Sequence, residues 1–474
     1  MRRPTPLVTS FLALVLVTVA CRRERPEVPD VPAGPRWALR GDATAFTTVG
    51  CTAGNDVVSY RFDWGDGDTS AWTDWLDSGH RARVSHVWER DGVFQVRAQA
   101  LSSHDLRSEW SEPRTLAVVP LRPGTVKWSY ESQEGIWSMP AIGPDGALYF
   151  GEGNGIAALN PDGSVRWKRD LGTEVWGPVA LAPDGAVCFF AQDGSLGMLE
   201  LDGAVRWRAD TARYESPASP AMQADGSVCI GTNDRRLLEF GPDARVRWSI
   251  TIDGDMWASP AIGPDRTSYF CTGLGDRAVY AVQPDGGVRW RFQADAHFDA
   301  APAVGADGRI YAMDAWGTLY ALAPDGTLAW RTSTGVGSGY CHSVVVGPDD
   351  AIFCLSPRGL VEVNSNGRVV WDYVTEGYPY GAPAVAADGS ICFLDDCLEG
   401  ILRAVTPGGG LVWQCRIDGG LTTSPTIGPD ATVYVAGEHD DRWVLLAVQG
   451  TAPLADSPWP KYKRDIANTG RAGP

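Results

Sequence analysis

Methionine, histidine and long apolar runs are scarce in this chain of 474 residues, and each shortage excludes something. There are 6 Met and 6 His, and the histidines (80, 86, 104, 297, 342 and 439) are too scattered to give a metal-ligand spacing. After residue 20 no stretch approaches the ~20 consecutive apolar residues of a bilayer-spanning helix, so membrane attachment is expected by an anchor and not by a span. Basic residues number 41 against 58 acidic ones, a net charge of −17. A surface of that sign repels phosphate backbones, and nucleic acid is not an expected partner. HExxH, GxSxG and P-loop patterns are missing, as are CxxC pairs and adjacent cysteines. No helical period of apolar residues recurs along the chain.

What is abundant is turn and aromatic chemistry. Gly 55 plus Pro 33 gives 88, where average usage of roughly 12% would give about 57. The excess is spread along the whole chain, and with 20 Trp it points to an all-β protein of many short strands.

The N-terminus has its own signature. Arg2 and Arg3 precede an apolar run, Leu7 to Ala20, of the length of a signal-peptide core. Thr18-Val19-Ala20-Cys21 resembles a bacterial lipobox, which implies removal of residues 1–20 and lipidation of Cys21. Residues 21–35 are charged and Pro-rich and are expected to be a tether. Of the ten cysteines, 188, 229, 271, 354 and 392 lie in short apolar runs and are expected to be buried thiols, with a Cys392–Cys397 bridge as an alternative for the last.

Residues 36–121 are expected to form a first domain. Residues 58–64 alternate apolar and polar, Gly65-Asp66-Gly67-Asp68 turns the chain, and strands at 82–87 and 93–100 follow around Asp91-Gly92. Phe62-Asp63-Trp64-Gly65-Asp66-Gly67, His86-Val87-Trp88 and Gly92-Val93-Phe94-Gln95-Val96 resemble the PKD type of Ig-like domain, which implies a β-sandwich acting as spacer or adhesive unit. Ser108-Glu109-Trp110-Ser111 is similar instead to the end of a fibronectin type III module. Asp63, Asp66 and Asp68 lack an EF-hand spacing and are expected to be turn residues; no metal site is expected.

Residues 125–450 repeat with a period near 41. Trp128, Trp167, Trp207, Trp248, Trp290, Trp330, Trp371 and Trp413 each end a strand, and some ten residues later comes a phrase such as Pro140-Ala141, Pro260-Ala261 or Pro302-Ala303. A Gly-Pro-Asp-Gly turn, an apolar strand, a variable turn, a third strand and an Asp-Gly turn complete each unit. Four strands per ~41 residues cannot bury both faces alone, but stacking them around an axis can. An eight-bladed β-propeller is therefore expected, with the Trp128 strand closing the blade begun near Thr422–Ile427.

The phrase Leu319-Tyr-Ala-Leu-Ala-Pro-Asp-Gly-Thr-Leu-Ala-Trp330 resembles the repeat of the PQQ-type quinoprotein propellers. That resemblance implies that the eight tryptophans dock between blades and that the Pro-Ala strand lies nearest the axis. It also implies that residues 451–474, with Ser457-Pro-Trp459-Pro and Asp465-Ile-Ala-Asn468-Thr-Gly470, pack on the propeller. The enzymes of the family hold PQQ and calcium, commonly against adjacent cysteines that this chain lacks, so no catalytic residue and no cofactor are expected. PQQ with calcium belongs to the alternative of a quinoprotein oxidoreductase.

The loops before each Pro-Ala strand carry Trp137, Trp176, Tyr214, Trp257, Phe298, Tyr340 and Tyr380, which are candidates for one ligand platform. They equally fit as plugs between blades. Glu134, Glu174, Glu215, Asp255, Asp299 and Glu376 in the same loops favour a cationic or calcium-bridged partner. The expectation is an exported, lipid-anchored, monomeric binding or scaffold protein of the cell envelope, with a protein or glycan held at the propeller mouth. A third reading is envelope assembly, by fold resemblance to the lipoprotein propeller of the outer-membrane barrel-assembly machinery.

Overall fold

The computed structural model describes residues 25–472 except 42, 53–56, 212–217, 336–342, 397–399, 418, 422, 440 and 441. The signal segment, Cys21, Tyr214, Glu215, Tyr340 and Cys397 lie outside the described residues. The chain forms two units, Met1–Leu121 and Arg122–Pro474. Both are built from strands; the one helical turn among the described residues is a 3-10 turn at Pro348–Asp350.

In the first unit, Trp37–Leu39, Arg114–Val119, Gly92–Ser102 and Val58–Asp63 lie side by side in one sheet, and Ala43–Thr48 pairs with Ala82–Val87 in a second. Phe46 of the two-stranded sheet packs with Phe62, Trp64, Trp88, Val96 and Leu116 in one core. The Ser-Glu-Trp-Ser phrase has a local reason. Ser111 and Ser108 hydroxyls accept the N–H groups of Ala98 and Ala100, which have no strand partner at that edge. The guanidinium of Arg61 lies 4.9 Å from the Trp72 ring and 5.1 Å from the Trp110 ring, so both outward tryptophans flank a cation. Residues 27–33, expected to be part of a free tether, are instead attached to this unit. The N–H groups of Glu27, Asp30 and Ala33 donate to Cys51, Val49 and Thr47. The prolines at 29 and 32 hold the segment extended while every third residue keeps a donor turned to the strand.

The second unit contains eight sheets among the described residues. Each begins with an inner strand, as short as Ala141–Ile142, Ala261–Ile262 or Thr426–Ile427. Two fully buried strands follow, such as Leu148–Glu152 and Gly155–Leu159, then a largely exposed outer strand such as Val165–Asp170. In the last sheet Thr432–His439 and Arg442–Gln449 are followed by Val126–Ser132, which comes from the start of the unit and pairs antiparallel with Arg442–Gln449. Cys188, Cys229, Cys271, Cys354 and Cys392 are buried free thiols; Cys397, the alternative partner expected for Cys392, lies outside the described residues. Burial pushes the thiols of Cys188, Cys229, Cys354 and Cys392 up to about 12.

The repeat phrases have separate physical tasks. In five of the eight repeats an Arg or Lys precedes the Trp and reaches the Asp of the first turn in its own sheet: Arg166–Asp145 and Arg206–Asp184 at 2.7 Å, Arg247–Asp225 at 2.9 Å, Arg289–Asp265 and Lys127–Asp430 at 3.0 Å. The Trp serves the neighbouring sheet. Indole N–H groups of Trp128, Trp167, Trp290, Trp330 and Trp371 donate to Pro161, Leu201, Pro324, Ser365 and Pro407, all in the second turn of the next sheet. The Gly of that turn lies under the ring. A Cβ added at Gly163, Gly203, Gly286, Gly326, Gly367 or Gly409 would meet the tryptophan at 2.6–3.2 Å. Trp248 keeps the ring contact with Gly286 but donates to Glu239 of its own sheet.

One turn departs from the rule. Where Trp207 would dock, the turn carries Ala244 at φ 64, and the buried Trp207 indole N–H has no partner; nor has that of Trp413. A left-handed alanine costs about 1–2 kcal/mol. Ala244→Gly is therefore expected to raise stability by about 1 kcal/mol in urea unfolding. An unchanged midpoint would show that the turn holds alanine without strain.

Candidate functional site

Antiparallel connectivity places the loops ahead of the inner strands and the turns after the second strands at one end of the propeller. The Gly-Pro-Asp and Asp-Gly turns lie at the other.

At the turn end, the C-terminal tail covers the axis. The last N–H of the inner strand, from Ile142, Leu181, Met222, Ile262, Val346 and Val385, donates to the tail carbonyls of Ile466, Ala467, Thr469, Gly470, Trp459 and Pro460, at 2.7–2.8 Å. Inner strands have no neighbour on the axial side, so these donors would otherwise be orphans. The Pro of each Pro-Ala phrase belongs to the same logic, since two residues earlier it removes the other axial donor altogether. Trp459 is buried among Val304, Val344 and Val346. Two tail lysines are fully buried as well. Lys461 Nζ donates to Asn468 Oδ1 at 2.6 Å and to the Tyr462 and Asp465 carbonyls at 2.9 and 3.2 Å; Lys463 Nζ donates to Pro220 O at 2.9 Å. Burial pulls both ammonium groups down to about 7, against the attraction of Asp465.

The opposite end carries the exposed aromatics. Trp137, Trp176, Trp257, Trp316 and Tyr378 are 44, 36, 46, 61 and 76% exposed, and they include every exposed large aromatic among the described residues of the second unit. The chain alternates as it enters each inner strand. Ile136, Val175 and Met256, four residues ahead of the Pro-Ala step, point inward; Trp137, Trp176 and Trp257, one residue later, point out. Trp137 meets Trp443 with ring centroids 4.2 Å apart, and Trp176 Nε1 donates to Glu174 Oε2 at 2.8 Å.

Phe298 corrects the expected platform. It is fully buried, edge-on to Tyr320, because it occupies the inward slot four residues ahead, where its sheet has Asp299 in the outward one. Tyr380 lies within the strand Tyr378–Val385, and Tyr214 and Tyr340 lie outside the described residues. Trp316, Leu274, Tyr378 and Trp443 were missed in the sequence. Trp316 stands at the tip of an Asp-Ala-Trp-Gly turn, and that signal was available.

The acidity of this end is partly consumed inside. Tyr130, Tyr280 and Tyr320 donate to the buried carboxylates of Glu152, Asp276 and Asp314 at 2.7, 2.5 and 3.0 Å. Burial first, and then these acids, push the three phenols up to about 12. Glu134 and Glu376 remain exposed, Asp255 lies 3.6 Å from Arg235, and Asp299 lies 3.2 Å from His297.

In the first unit, Asp66, Asp68 and His86 bring possible ligand atoms within 4.8 Å of one another. Two of the three, Asp66 and His86, are engaged with each other in the turn's own bonds. Asp66 receives His86 Nε2 at 2.7 Å and the Asp68 N–H at 3.1 Å, and Asp63 receives the Gly65 N–H at 3.0 Å.

Among known proteins, a family model described as outer membrane protein assembly factor BamB matches residues 112–263 and 275–394. No curated protein matches. BamB from Moraxella catarrhalis is 18% identical over 69% of this chain and 97% of its own, with a TM-score of 0.57. A europium-containing methanol dehydrogenase is 14% identical over 66% of this chain and 84% of its own, with a TM-score of 0.55. At those identities the likeness shows the fold, a PQQ-like β-propeller. The PKD domain of an M14-like peptidase from Thermoplasmatales archaeon SCGC AB-540-F20 is 28% identical over 20% of this chain and 97% of its own, with a TM-score of 0.19.

Proposed function

We propose, from the premise that this chain belongs to the family of outer membrane protein assembly factor BamB, that it is a non-catalytic binding protein of the cell envelope that holds a partner protein on the aromatic end of its propeller. The observation that carries this is the contrast between the two ends. One is covered along the axis by the chain's own tail, and the other presents Trp137, Trp176, Trp257, Trp316 and Tyr378 to solvent. Exposed Trp and Tyr in a turn-rigid frame are the residues that carry most binding energy at protein interfaces. The acids beside them (Glu134, Glu174, Asp255, Asp299 and Glu376) favour a partner surface with basic residues around an apolar centre.

The rest of the chain fits an exported part. Signal removal after residue 20 and lipidation of Cys21 would tether the protein to a membrane surface, the Ig-like unit would act as a spacer, and the eight sheets would be eight blades. The fold shared with a methanol dehydrogenase keeps a quinoprotein reading testable.

The test is a triple variant, Trp137→Ala, Trp257→Ala and Trp316→Ala. These side chains are half-exposed, so its unfolding midpoint is expected to stay near wild type. In cells lacking the native protein, wild type should restore outer-membrane β-barrel protein levels and the triple variant should not. Full restoration by the variant would remove the aromatic end from the function. A saturable rise in melting temperature with PQQ and calcium would replace the reading with an enzyme.

A further inference from the structure

Among the described residues the tail's backbone hydrogen bonds reach six of the eight inner strands and leave out Ala303–Val304 and Thr426–Ile427. Where it passes the sheet of Thr426–Ile427, an open cavity of about 430 Å³ lies between the tail and Pro429 of the first turn. Its walls are largely apolar, with Pro429, Pro453, Leu454, Pro460 and Ile466, and the guanidinium of Arg464 lines it together with the carboxylates of Asp456 and Asp465.

That guanidinium is under-used. Arg464 Nε is buried and has no hydrogen-bond partner. Its nearest acid, Asp465, stands 3.6 Å from Nη1, beyond hydrogen-bond reach, and is already engaged by the Thr469 N–H and hydroxyl. A desolvated donor without an acceptor costs about 1–3 kcal/mol. The backbone adds to the cost, because Lys463 and Arg464 both sit in the left-handed region, at φ 63 and 69. Strain of this kind persists where the surrounding structure over-determines it, and it concentrates at ligand clamps.

We propose that this cavity binds the carboxylate end of an apolar molecule, with Arg464 as its counter-ion. A carboxylate offers two coplanar acceptors to the guanidinium fork. The proline and aliphatic walls take the body of the ligand, and the volume is in the range of small-molecule sites. Asp456, exposed at the wall, and Asp465, ion-paired with Arg464 at 3.6 Å, oppose a second negative charge, so the ligand class is a monocarboxylate. The site is at the tail-covered end and is independent of the aromatic end.

The test uses the full mature chain with hexanoate and hexanamide, and with acetyl-Gly-Pro-Leu bearing a free or an amidated C-terminus. Hexanoate is expected to raise the melting temperature saturably and hexanamide not to. Arg464→Gln should weaken hexanoate at least tenfold, and Leu454→Trp should block it by filling the cavity while leaving the guanidinium in place. If Arg464→Gln fails to fold, Leu454→Trp decides. Tighter binding of the free-acid peptide than of hexanoate would identify a peptide end as the natural ligand, and the reverse a free acid. Equal responses to acid and amide, or unchanged affinity in Leu454→Trp, would overturn the proposal.

Discussion

Deleting residues 451–474 is expected to abolish the cooperative unfolding of the propeller. The tail takes six inner-strand N–H groups, one from each of six sheets, at about 0.5–1.5 kcal/mol apiece. It also buries Trp459 against the inner strands, and truncating a buried Trp to Ala costs about 3–5 kcal/mol by itself. The sum is comparable with the whole stability of a typical domain, about 5–15 kcal/mol. Urea titration followed by tryptophan fluorescence should show a broad, early transition for the truncated chain. Trp459→Ala should keep a single transition shifted to lower denaturant. A truncated chain that unfolds at the wild-type midpoint would mean that the ring holds itself and that the tail merely rests on it.

The second large effect is on pH. Lys461 and Lys463 are held near 7 when folded, well below the ~10.4 of an exposed lysine. Between those values the unfolded chain binds more protons than the folded one, so stability rises with pH from about 7 upward, by at most about 1.4 kcal/mol per pH unit per lysine. Below about 7 both states are protonated and the burial cost is present in full. The thiols act in the opposite sense. Cys188, Cys229, Cys354 and Cys392 stay protonated up to about 12 when folded, whereas an unfolded thiol ionises from about 8.5. Stability is therefore expected to climb from pH 7 to a maximum near 8.5–9 and then fall.

Of the two lysines, Lys461 has three acceptors, one for each ammonium hydrogen, and loses one when neutral. Lys463, with carbonyls only at Pro220 and Ser219, should release its proton first. Urea unfolding of Lys463→Met at pH 6.5, 7.5 and 8.5 should show a flattened rise. An unaltered slope would assign the pH dependence elsewhere.

Much of this molecule is legible in one dimension, because each signal is set by a neighbour in the chain. A Pro-Asp-Gly turn needs a left-handed residue at a fixed offset. A fully buried strand such as Leu148–Glu152 needs a short apolar run, and an outer strand such as Val205–Asp210 alternates from its Trp onward. The ~41-residue recurrence of those signals implies identical sheets stacked about an axis, and with them the all-β, PQQ-like propeller class.

The candidate site was legible only in part. Trp137, Trp176 and Trp257 were found because loop aromatics stand out, but Phe298, equally conspicuous, is core. One residue of register separates the inward slot from the outward one, and a list of aromatics does not carry register. Trp316 and Tyr378 join the same end only through antiparallel pairing, which brings the end of one strand beside the start of another.

The sequence by itself thus determined the repeat and the strand order within each sheet, since both rest on contacts a fixed number of residues apart, whereas the docking of its tryptophans was implied only by the resemblance to the PQQ-type repeat. Only the tertiary structure decided where the tail goes. Its carbonyls meet donors from Ile142 to Val385, brought together by the ring and not by any spacing. The same closure turned Lys461 and Lys463 from surface-type residues into buried ones, and left Arg464 with an open cavity where the tail bypasses the eighth sheet.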